Sequence, residues 1–275
     1  MEIKIDRPGE VGEYDEGMQQ LLQIVWGDGF LSPGGAGEVA RILEHVDIRG
    51  ARVLDIGCGL GEVDVLLARA HGARQVVGID LEPDLLARAR ERAARAGLSD
   101  RLELIQVSPG PLPFSAADFD VVFSKDSMLQ IPDKPALYRE IHRVLVPGGR
   151  LIAGDWLRGG SGPYSEAMLE YFRLEGLTYN LVSAEDSATA LRNAGFVEVE
   201  VRDRSAWYTE LAERELASLA GEWQPLLVER LGVTRARHFV DNWRQLVLVL
   251  QRGELRTAHL RARKPAGAGL ASTHS

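Results

Sequence analysis

A glycine-rich stretch at residues 53–61 is the part of the sequence best suited to hold a ligand. It reads Val-Leu-Asp-Ile-Gly-Cys-Gly-Leu-Gly, with glycines at 57, 59 and 61. Glycines let a strand turn tightly into a helix, and they let backbone N–H groups approach a ligand closely. Asp80 ends the next predicted strand, where a carboxylate can accept hydrogen bonds from both hydroxyls of a ribose. The two features together predict a site for a cofactor that contains a nucleoside.

The spacing of the glycines differs from that of a dinucleotide-binding turn. In the pattern Gly-x-Gly-x-x-Gly the third glycine comes one residue later than Gly61 does here. An acidic residue, Asp55, also lies two positions before Gly57. A domain that binds NAD, or a degenerate one that binds nothing, is the alternative interpretation.

The elements that must position this turn follow an alternating pattern. Short apolar runs predict strands that begin at Arg52 and span 75–80, 101–106, 120–125 and 150–156, with helices near 61–71, 83–97 and 134–145. Pro147-Gly148-Gly149 is the predicted stop of the last of these helices. Strands joined by helices imply right-handed crossovers, so we predict an α/β fold: a doubly wound, mainly parallel sheet with helices on both faces. Two stretches of period-2 alternation, 198–205 and 254–263, would add an antiparallel edge and bring the sheet to seven strands.

Several segments do not fit that rhythm and predict a helical cap, or lid, over the sheet. They are 1–46, 159–181 and 207–251, and the last contains three of the five tryptophans. We therefore divide the chain into an N-terminal helical lid (1–48), a cofactor-binding α/β core (49–206), a helical cap insertion (207–251), a final sheet strand (252–264) and a disordered tail (265–275).

Composition excludes several other classes of protein. The formal net charge is −8, so no broad basic surface is available for a nucleic acid, and we expect no nucleic-acid partner. No apolar run approaches 18 residues and no secretory signal begins the chain, which predicts a cytoplasmic protein without a membrane partner. The single cysteine, Cys58, allows no internal disulfide, and the six histidines show no metal-ligand spacing, so no metal is assigned.

The glycine turn with its preceding acid resembles motif I of the class I S-adenosylmethionine-dependent methyltransferases. Leu145-Val-Pro-Gly-Gly-Arg-Leu151 resembles the late motif of that family, and the likeness covers roughly residues 50–200. The resemblance implies a Rossmann-like methyltransferase fold with S-adenosyl-L-methionine as cofactor. It implies that Asp55 engages the methionine end and Asp80 the ribose. The full set assigned to the cofactor is Asp55, Gly57, Gly59, Gly61, Asp80, Leu81, Ser108 and Ser124.

A narrower resemblance is to phosphoethanolamine N-methyltransferases and related small-amine methyltransferases. It rests on Gly29-Phe-Leu-Ser-Pro-Gly-Gly35 and on Phe123-Ser-Lys-Asp-Ser-Met-Leu-Gln-Ile-Pro-Asp-Lys134. In that family a tyrosine of the N-terminal helix works with a histidine. Tyr14 stands at the matching distance, but Gln130 replaces the histidine and cannot titrate near neutrality. An ungapped matching places Leu177 and Leu246 where the family holds a phosphate with basic residues, and Ser108 where it has an acid for the adenine.

Transfer of a methyl group to an amine needs an acceptor for the departing proton and a surface that holds the amine. The catalytic candidates are Tyr14, Asp126 and Gln130, and the substrate-binding candidates are the aromatic residues Trp156, Tyr171 and Tyr179. Aromatic faces also attract a cationic amine, by about 0.5–2 kcal/mol.

The sequence therefore predicts a methyltransferase for a small molecule, with N-methylation of a small amine as the first hypothesis. O- or C-methylation of a more apolar metabolite is an alternative, which Leu177 and Leu246 favour. Attack on another carbon of the sulfonium, with release of methylthioadenosine, is a second alternative. A cofactor-binding subunit that supports a partner without turnover is the third. The sequence leaves the oligomeric state open.

Overall fold

Seven strands form one sheet in the computed structural model, which describes residues 16–177 and 179–267. The strands are β1 (Arg52–Ile56), β2 (Gln75–Asp80), β3 (Leu102–Gln106), β4 (Phe119–Lys125), β5 (Leu145–Arg158), β6 (Val197–Asp203) and β7 (Leu255–Arg263). Their order across the sheet is β3-β2-β1-β4-β5-β7-β6. Only β7 runs antiparallel to its neighbours, β5 and β6. The predicted seven-stranded, mainly parallel sheet with an antiparallel edge is confirmed.

Ten α-helices surround or cap the sheet in the described part of the chain. They are α1 (Glu16–Trp26), α2 (Gly35–Ile42), α3 (Glu62–Arg69), α4 (Pro83–Arg95), α5 (Lys134–Val144), α6 (Glu166–Glu175), α7 (Ala184–Asn193), α8 (Ser205–Ala220), α9 (Gln224–Leu231) and α10 (Val233–Gln251). A short 3-10 helix spans Met128–Gln130.

Two separate apolar cores hold helices on the two faces of the sheet. Buried residues of α2, α3 and α4 pack on one face, and buried residues of α5 and α7 pack on the other. Burial on both faces explains why the central strands read as continuous apolar runs. The helices fix where each strand ends, and the ligand crevice of such sheets lies at the carboxyl ends of the strands.

A third core lies within the cap itself. It joins apolar residues of α1, α6, α8, α9 and α10 to Trp156 of β5 and Leu255 of β7. Trp156 is near the end of β5, and Leu255 begins the antiparallel β7, so both belong to the edge of the sheet where parallel strands finish. The cap therefore covers part of the edge that also carries the glycine turn.

The structure divides the N-terminal segment that we predicted as a single lid. Helix α1 packs into the cap core, whereas α2 buries Val39 and Ile42 against the sheet. Glu38 of α2 accepts hydrogen bonds from Arg204 and contacts His259 of β7 at 2.6 Å, which fixes α2 to the sheet. The predicted tail lies outside the described residues from position 268 onward.

The helix predicted near 134–145 is present, but the segment Pro147-Gly148-Gly149, predicted as its stop signal, lies inside β5. Helix α5 ends at Val144 and β5 begins at the next residue. The pairing of β4 with β5 shifts from Phe119–Leu145 to Val121–Arg150, so the three residues form an irregularity within the strand. A Cβ on Gly149 would lie 2.9 Å from the carbonyl oxygen of Val146, which explains the glycine there.

Candidate active site

The turn between β1 and α3 is shaped by glycines that other residues could not replace. A Cβ on Gly57 would lie 1.9 Å from Ser127 Oγ, and one on Gly61 would lie 2.9 Å from Ala89 Cβ. Both glycines also have a φ of 79°, in the left-handed region. The turn is thus in direct contact with the segment that follows β4.

Asp80 is held against this turn by backbone donors. Its carboxylate accepts hydrogen bonds from the N–H of Gly59 at 2.9 Å and of Glu82 at 3.1 Å. Burial raises the pKa of Asp80, and these hydrogen bonds oppose the rise. Leu81, next to it, is 51% exposed although apolar, and Ser108 is exposed in the loop after β3. Asp80, Leu81 and Ser108 follow the ends of neighbouring strands, so they face the same crevice edge.

Asp55 is a buried carboxyl group that forms no ion pair with another residue in the described part of the chain. It is 1% exposed, and its Oδ1 atom has no hydrogen-bond partner among the described residues. Burial, together with the nearby Asp80, raises the pKa of Asp55 to about 8, although Lys125 opposes the rise. A cationic group from a ligand would satisfy this carboxyl and favour its ionised form.

The end of β4 carries the second half of the site. Asp126 has a φ of 55°, and its N–H donates to the carbonyl of Gly154 at 2.8 Å, which fixes its position between β4 and β5. Its Oδ2 atom lies 2.9 Å from Lys125 Nζ. Ser124 is fully buried and its hydroxyl donates to the carbonyl of Ile56 at 2.9 Å, so this hydroxyl proton joins β4 to β1.

Aromatic side chains from the cap and from β5 form two groups near this strand end. Trp156 packs edge-to-face on Tyr208, with ring centroids 5.0 Å apart. The hydroxyls of Tyr171 and Tyr179 lie 3.1 Å apart, and the ring of Tyr179 stacks on Phe172. The three predicted substrate residues are therefore brought into the cap core, with Trp156 on the sheet side and the two tyrosines on the helix side.

The other two catalytic candidates are placed differently. Gln130 is half-buried at the end of the 3-10 helix, and its backbone carbonyl accepts a hydrogen bond from Asn180 Nδ2 at 2.9 Å. Lys134 donates to the carbonyls of Met128 and Ile131 and so holds this short helix in place. Tyr14 lies outside the described residues, and its predicted role stays a prediction.

Sequence reasoning missed two residues beside these groups, Tyr208 and Lys125. Tyr208 of α8 is fully buried, and its hydroxyl has no hydrogen-bond partner among the residues that the structure describes. Burial raises its pKa, and the charges of Glu215, Asp126 and Glu175 add to the rise. Lys125 lies within the motif 123–134, which predicted no role for its side chain. These residues lie far apart in the chain, and no local spacing marks them.

Over residues 16–177 and 179–267, no three His, Cys, Asp or Glu side chains are grouped as a metal site would require. In the same part of the chain no helix combines the length and the apolarity needed to cross a bilayer.

The strand order, the glycine turn and the acid at the end of β2 define an α/β protein that binds a nucleoside-containing cofactor at the carboxyl edge of its sheet. Residues 53–149 match the family described as a methyltransferase domain. The chain is 33% identical to the 27-O-demethylrifamycin SV methyltransferase of Amycolatopsis mediterranei, over 75% of this chain and 82% of that protein. This chain belongs to the class I S-adenosylmethionine-dependent methyltransferases.

Within that class the chain is similar to the phosphoethanolamine N-methyltransferase group. It is 35% identical to phosphoethanolamine N-methyltransferase 1 of Arabidopsis thaliana, over 74% of this chain and 43% of that protein. The structure of Haemonchus contortus phosphoethanolamine N-methyltransferase 2 in complex with S-adenosyl-L-methionine superposes with a TM-score of 0.83 at 26% identity. The match covers 92% of this chain and 58% of that one. The chain thus spans less than half the length of the plant relative.

The residues of the turn fit the cofactor of this class, S-adenosyl-L-methionine. Asp55 is a buried carboxyl whose Oδ1 lacks a partner among the described residues, which suits the ammonium of the methionine end. A Cβ at Gly59 would meet only Leu31, at 3.4 Å, so the backbone there leaves room for a ligand. The assignment of Asp80 to the ribose stays a prediction, in agreement with its place at the end of β2. The individual assignments to Leu81, Ser108 and Ser124 stay predictions.

Proposed function

We propose that this chain transfers a methyl group from S-adenosylmethionine to the nitrogen of a small, cationic amine that carries no phosphate. The observation that carries the proposal is the position of Trp156, Tyr171, Tyr179 and Tyr208 in the cap core. Asp126 lies beside them, because its N–H donates to the carbonyl of Gly154, two residues before Trp156. Aromatic faces beside a carboxylate attract a cationic amine. The resemblance to amine N-methyltransferases supports the choice of nitrogen.

The cofactor supplies a methyl group that is already activated by its attachment to a positively charged sulfur. Asp55, the glycine turn and Asp80 hold and orient it, and positioning of this kind can contribute about 7–11 kcal/mol. An alkylamine is neutral in about one molecule per thousand at pH 7, a handicap of about 4 kcal/mol. Desolvation among the aromatic rings lowers the pKa of the amine, and Asp126 accepts its proton.

The preference for an unphosphorylated amine follows from the charges on the cap side. Leu177 and Leu246 are 8% and 5% exposed and offer no positive charge. Glu175, two residues before Leu177, accepts a hydrogen bond from Asn242 of α10, which lies one turn from Leu246. Burial raises the pKa of Glu175. Two arginines lie over rings of the cap core, Arg158 over Tyr164 and Arg235 over Phe239. A carboxyl here opposes a phosphate and favours a cation.

A second candidate function is O-methylation of a larger, apolar metabolite. Leu177 and Leu246 favour it because they make this wall apolar. The relative from Amycolatopsis, of which 82% is covered by the match, is named 27-O-demethylrifamycin SV methyltransferase. We propose the amine first because a carboxyl group such as Glu175 attracts a cationic amine more strongly than a neutral hydroxyl. For either acceptor we propose a small-molecule partner and a cytoplasmic location.

The test is mass spectrometry of S-adenosylmethionine incubated with the protein alone and with each member of a panel. Ethanolamine and phosphoethanolamine form a matched pair that differs only in the phosphate, and the panel adds other amines and apolar alcohols and phenols. We expect S-adenosylhomocysteine to form with an unphosphorylated amine, at a kcat/KM at least about tenfold above its phosphorylated partner. Turnover with an alcohol or phenol only would establish the second candidate. Preference for phosphoethanolamine, or methylthioadenosine from the cofactor alone, would contradict the proposal.

A further inference from the structure

Lys125, the last residue of β4, is a buried lysine with three hydrogen-bond partners. Its side chain is 3% exposed. The ammonium donates to Ser32 Oγ at 2.5 Å, to the carbonyl of Pro33 at 2.9 Å and to Asp126 Oδ2 at 2.9 Å. All three donors of an ammonium are therefore used, which is what a buried charge requires.

Two of these partners belong to the loop between α1 and α2, and that loop lies on the cofactor turn. Leu31 Cδ1 is 3.4 Å from the position of a Cβ on Gly59. The start of the loop is fixed separately, because Arg92 of α4 contacts Asp28 at 2.9 Å and Glu62 at 2.8 Å. Asp28 is 79% exposed, so that anchor is largely in water. Lys125 is the buried anchor, at the end of the loop nearest to the acceptor side.

The third partner and the charge of Lys125 connect the loop to the two halves of the site. Asp126 is the candidate proton acceptor, and Lys125 fixes one of its two carboxylate oxygens. Lys125 also acts electrostatically on Asp55, the carboxyl at the cofactor turn. One ammonium therefore touches the loop over the cofactor and the acceptor carboxylate, and its field reaches the cofactor carboxyl.

We propose that Lys125 is a positioning residue that holds the Ser32–Pro33 segment closed over the cofactor turn and so couples cofactor binding to the placement of Asp126. The inference extends the proposed function, but its test uses the cofactor without any acceptor. Failure of the amine hypothesis would therefore leave this result unaffected.

The experiment compares Lys125→Met, Ser32→Ala and the double variant with wild type. Lys264→Met is the matched control, because the ammonium of Lys264 is also held by hydrogen bonds, to the carbonyls of His142 and Leu145, at the opposite end of the sheet. Two quantities are measured: the Kd of S-adenosylmethionine by calorimetry, and amide hydrogen exchange of residues 27–35 in the cofactor-free protein. Thermal unfolding of each variant reports whether it is folded.

We expect Lys125→Met to raise the Kd about tenfold and to speed exchange in residues 27–35, while Ser32→Ala raises the Kd about threefold. Because both changes remove the same contact, the double variant should match Lys125→Met alone. Lys264→Met should change neither quantity. An unchanged Kd in Lys125→Met, or effects of the two single changes that multiply in the double variant, would overturn the proposal.

A pH series separates the positioning role from simple structural support. Asp55 faces Asp64, Asp80 and Lys125, and only the last is positive, so its loss raises the pKa of Asp55 further. Lys125→Met should therefore shift the pH dependence of cofactor affinity to higher pH, and Lys125→Arg, which keeps the charge, should restore it. Ser32→Ala should not shift it. A profile that stays in place in Lys125→Met would contradict the coupling to the cofactor side.

Discussion

Tyr208 lies in the cap core with its ring against Trp156 and a hydroxyl that no described residue satisfies. A buried hydroxyl without a partner costs stability, about 1–3 kcal/mol. Tyr208→Phe should therefore leave the free energy of unfolding unchanged or raise it by about 1 kcal/mol. If the hydroxyl binds the acceptor, kcat/KM for the acceptor should fall about tenfold in the same variant. Urea unfolding and steady-state kinetics measure the two effects.

Tyr138→Phe is the control for this change, because Tyr138 is also buried but belongs to α5, on a face of the sheet away from the cap. It should leave kcat/KM for the acceptor at the wild-type value. Wild-type kinetics in Tyr208→Phe would mean that its hydroxyl takes no part in acceptor binding.

The residues of the cofactor turn could be predicted from the sequence, but those of the cap could not. Asp55 and Gly57–Gly61 form one contiguous motif, so their spacing alone carries the chemistry. Lys125 meets Ser32 across 93 positions of the chain, and Trp26 meets Glu215 across 189. Such contacts depend on how helices pack, which leaves no local pattern. Ser124 lies within a recognisable motif and was assigned to the cofactor, but its hydroxyl donates a hydrogen bond that joins β4 to β1.

Helices α1, α8 and α10 of the cap are joined by one carboxylate. Glu215 of α8 accepts a hydrogen bond from Trp26 Nε1 of α1 at 2.9 Å and from Trp243 Nε1 of α10 at 3.1 Å. The two indole rings lie 5.8 Å apart. Burial raises the pKa of Glu215 to about 7, and the two indole donors oppose the rise. The carboxylate serves both donors only when each of its oxygens accepts.

Glu215→Gln should weaken this junction, because the amide nitrogen cannot accept from an indole N–H and leaves one donor unpaired. We expect a loss of about 2 kcal/mol in the free energy of unfolding, with a change in tryptophan emission before global unfolding. Urea titration followed by fluorescence and by far-ultraviolet circular dichroism measures both. Glu210→Gln, an exposed change on the same helix, should have no effect. Equal stability of the two variants would show that the junction is not a stabilising contact.

The alternation of strands and helices was predictable at the level of elements, and its irregular points were not. Period and apolarity locate β1 to β4 within about a residue, because buried parallel strands have a strong signal. The start of β5 was missed because Pro147-Gly148-Gly149 indicates a turn, whereas a break in pairing register accommodates it within the strand. Helix α2 was assigned to the lid because a helical pattern does not say which surface it covers.

At the scale of the whole molecule, buried carboxyl groups outnumber buried lysines among the residues that the structure describes. Burial raises the pKa of Asp55 to about 8 and of Glu215 to about 7, and it raises the pKa of Asp64 well above its usual range. Both oxygens of Asp64 lack a hydrogen-bond partner among the described residues. The folded, cofactor-free protein therefore keeps protons that the unfolded chain has released above about pH 4.5.

The sign of the effect on stability follows from this difference in bound protons. Where the folded state binds more protons, the free energy of unfolding falls as pH rises, by about 1.4 kcal/mol per pH unit for each proton retained. His71 and His142, whose pKa values burial lowers, act in the opposite direction but only below their usual value of 6.5. Burial lowers the pKa of Lys134 to about 8. This residue therefore makes the free energy of unfolding rise with pH only above about pH 8. Between pH 6.5 and 8 the carboxyl groups dominate.

We therefore expect the Tm of the cofactor-free protein to fall by several degrees between pH 6.5 and 8. Saturating S-adenosylmethionine should reduce this fall, because a cation beside Asp55 favours its ionised form. Asp64→Asn replaces a protonated carboxyl by a neutral group of the same size, so it should flatten the profile in the absence of cofactor. Differential scanning calorimetry at constant ionic strength measures all three profiles. A Tm that stays constant or rises over this range would contradict the prediction, because it would mean that these carboxyls do not retain their protons in the folded protein.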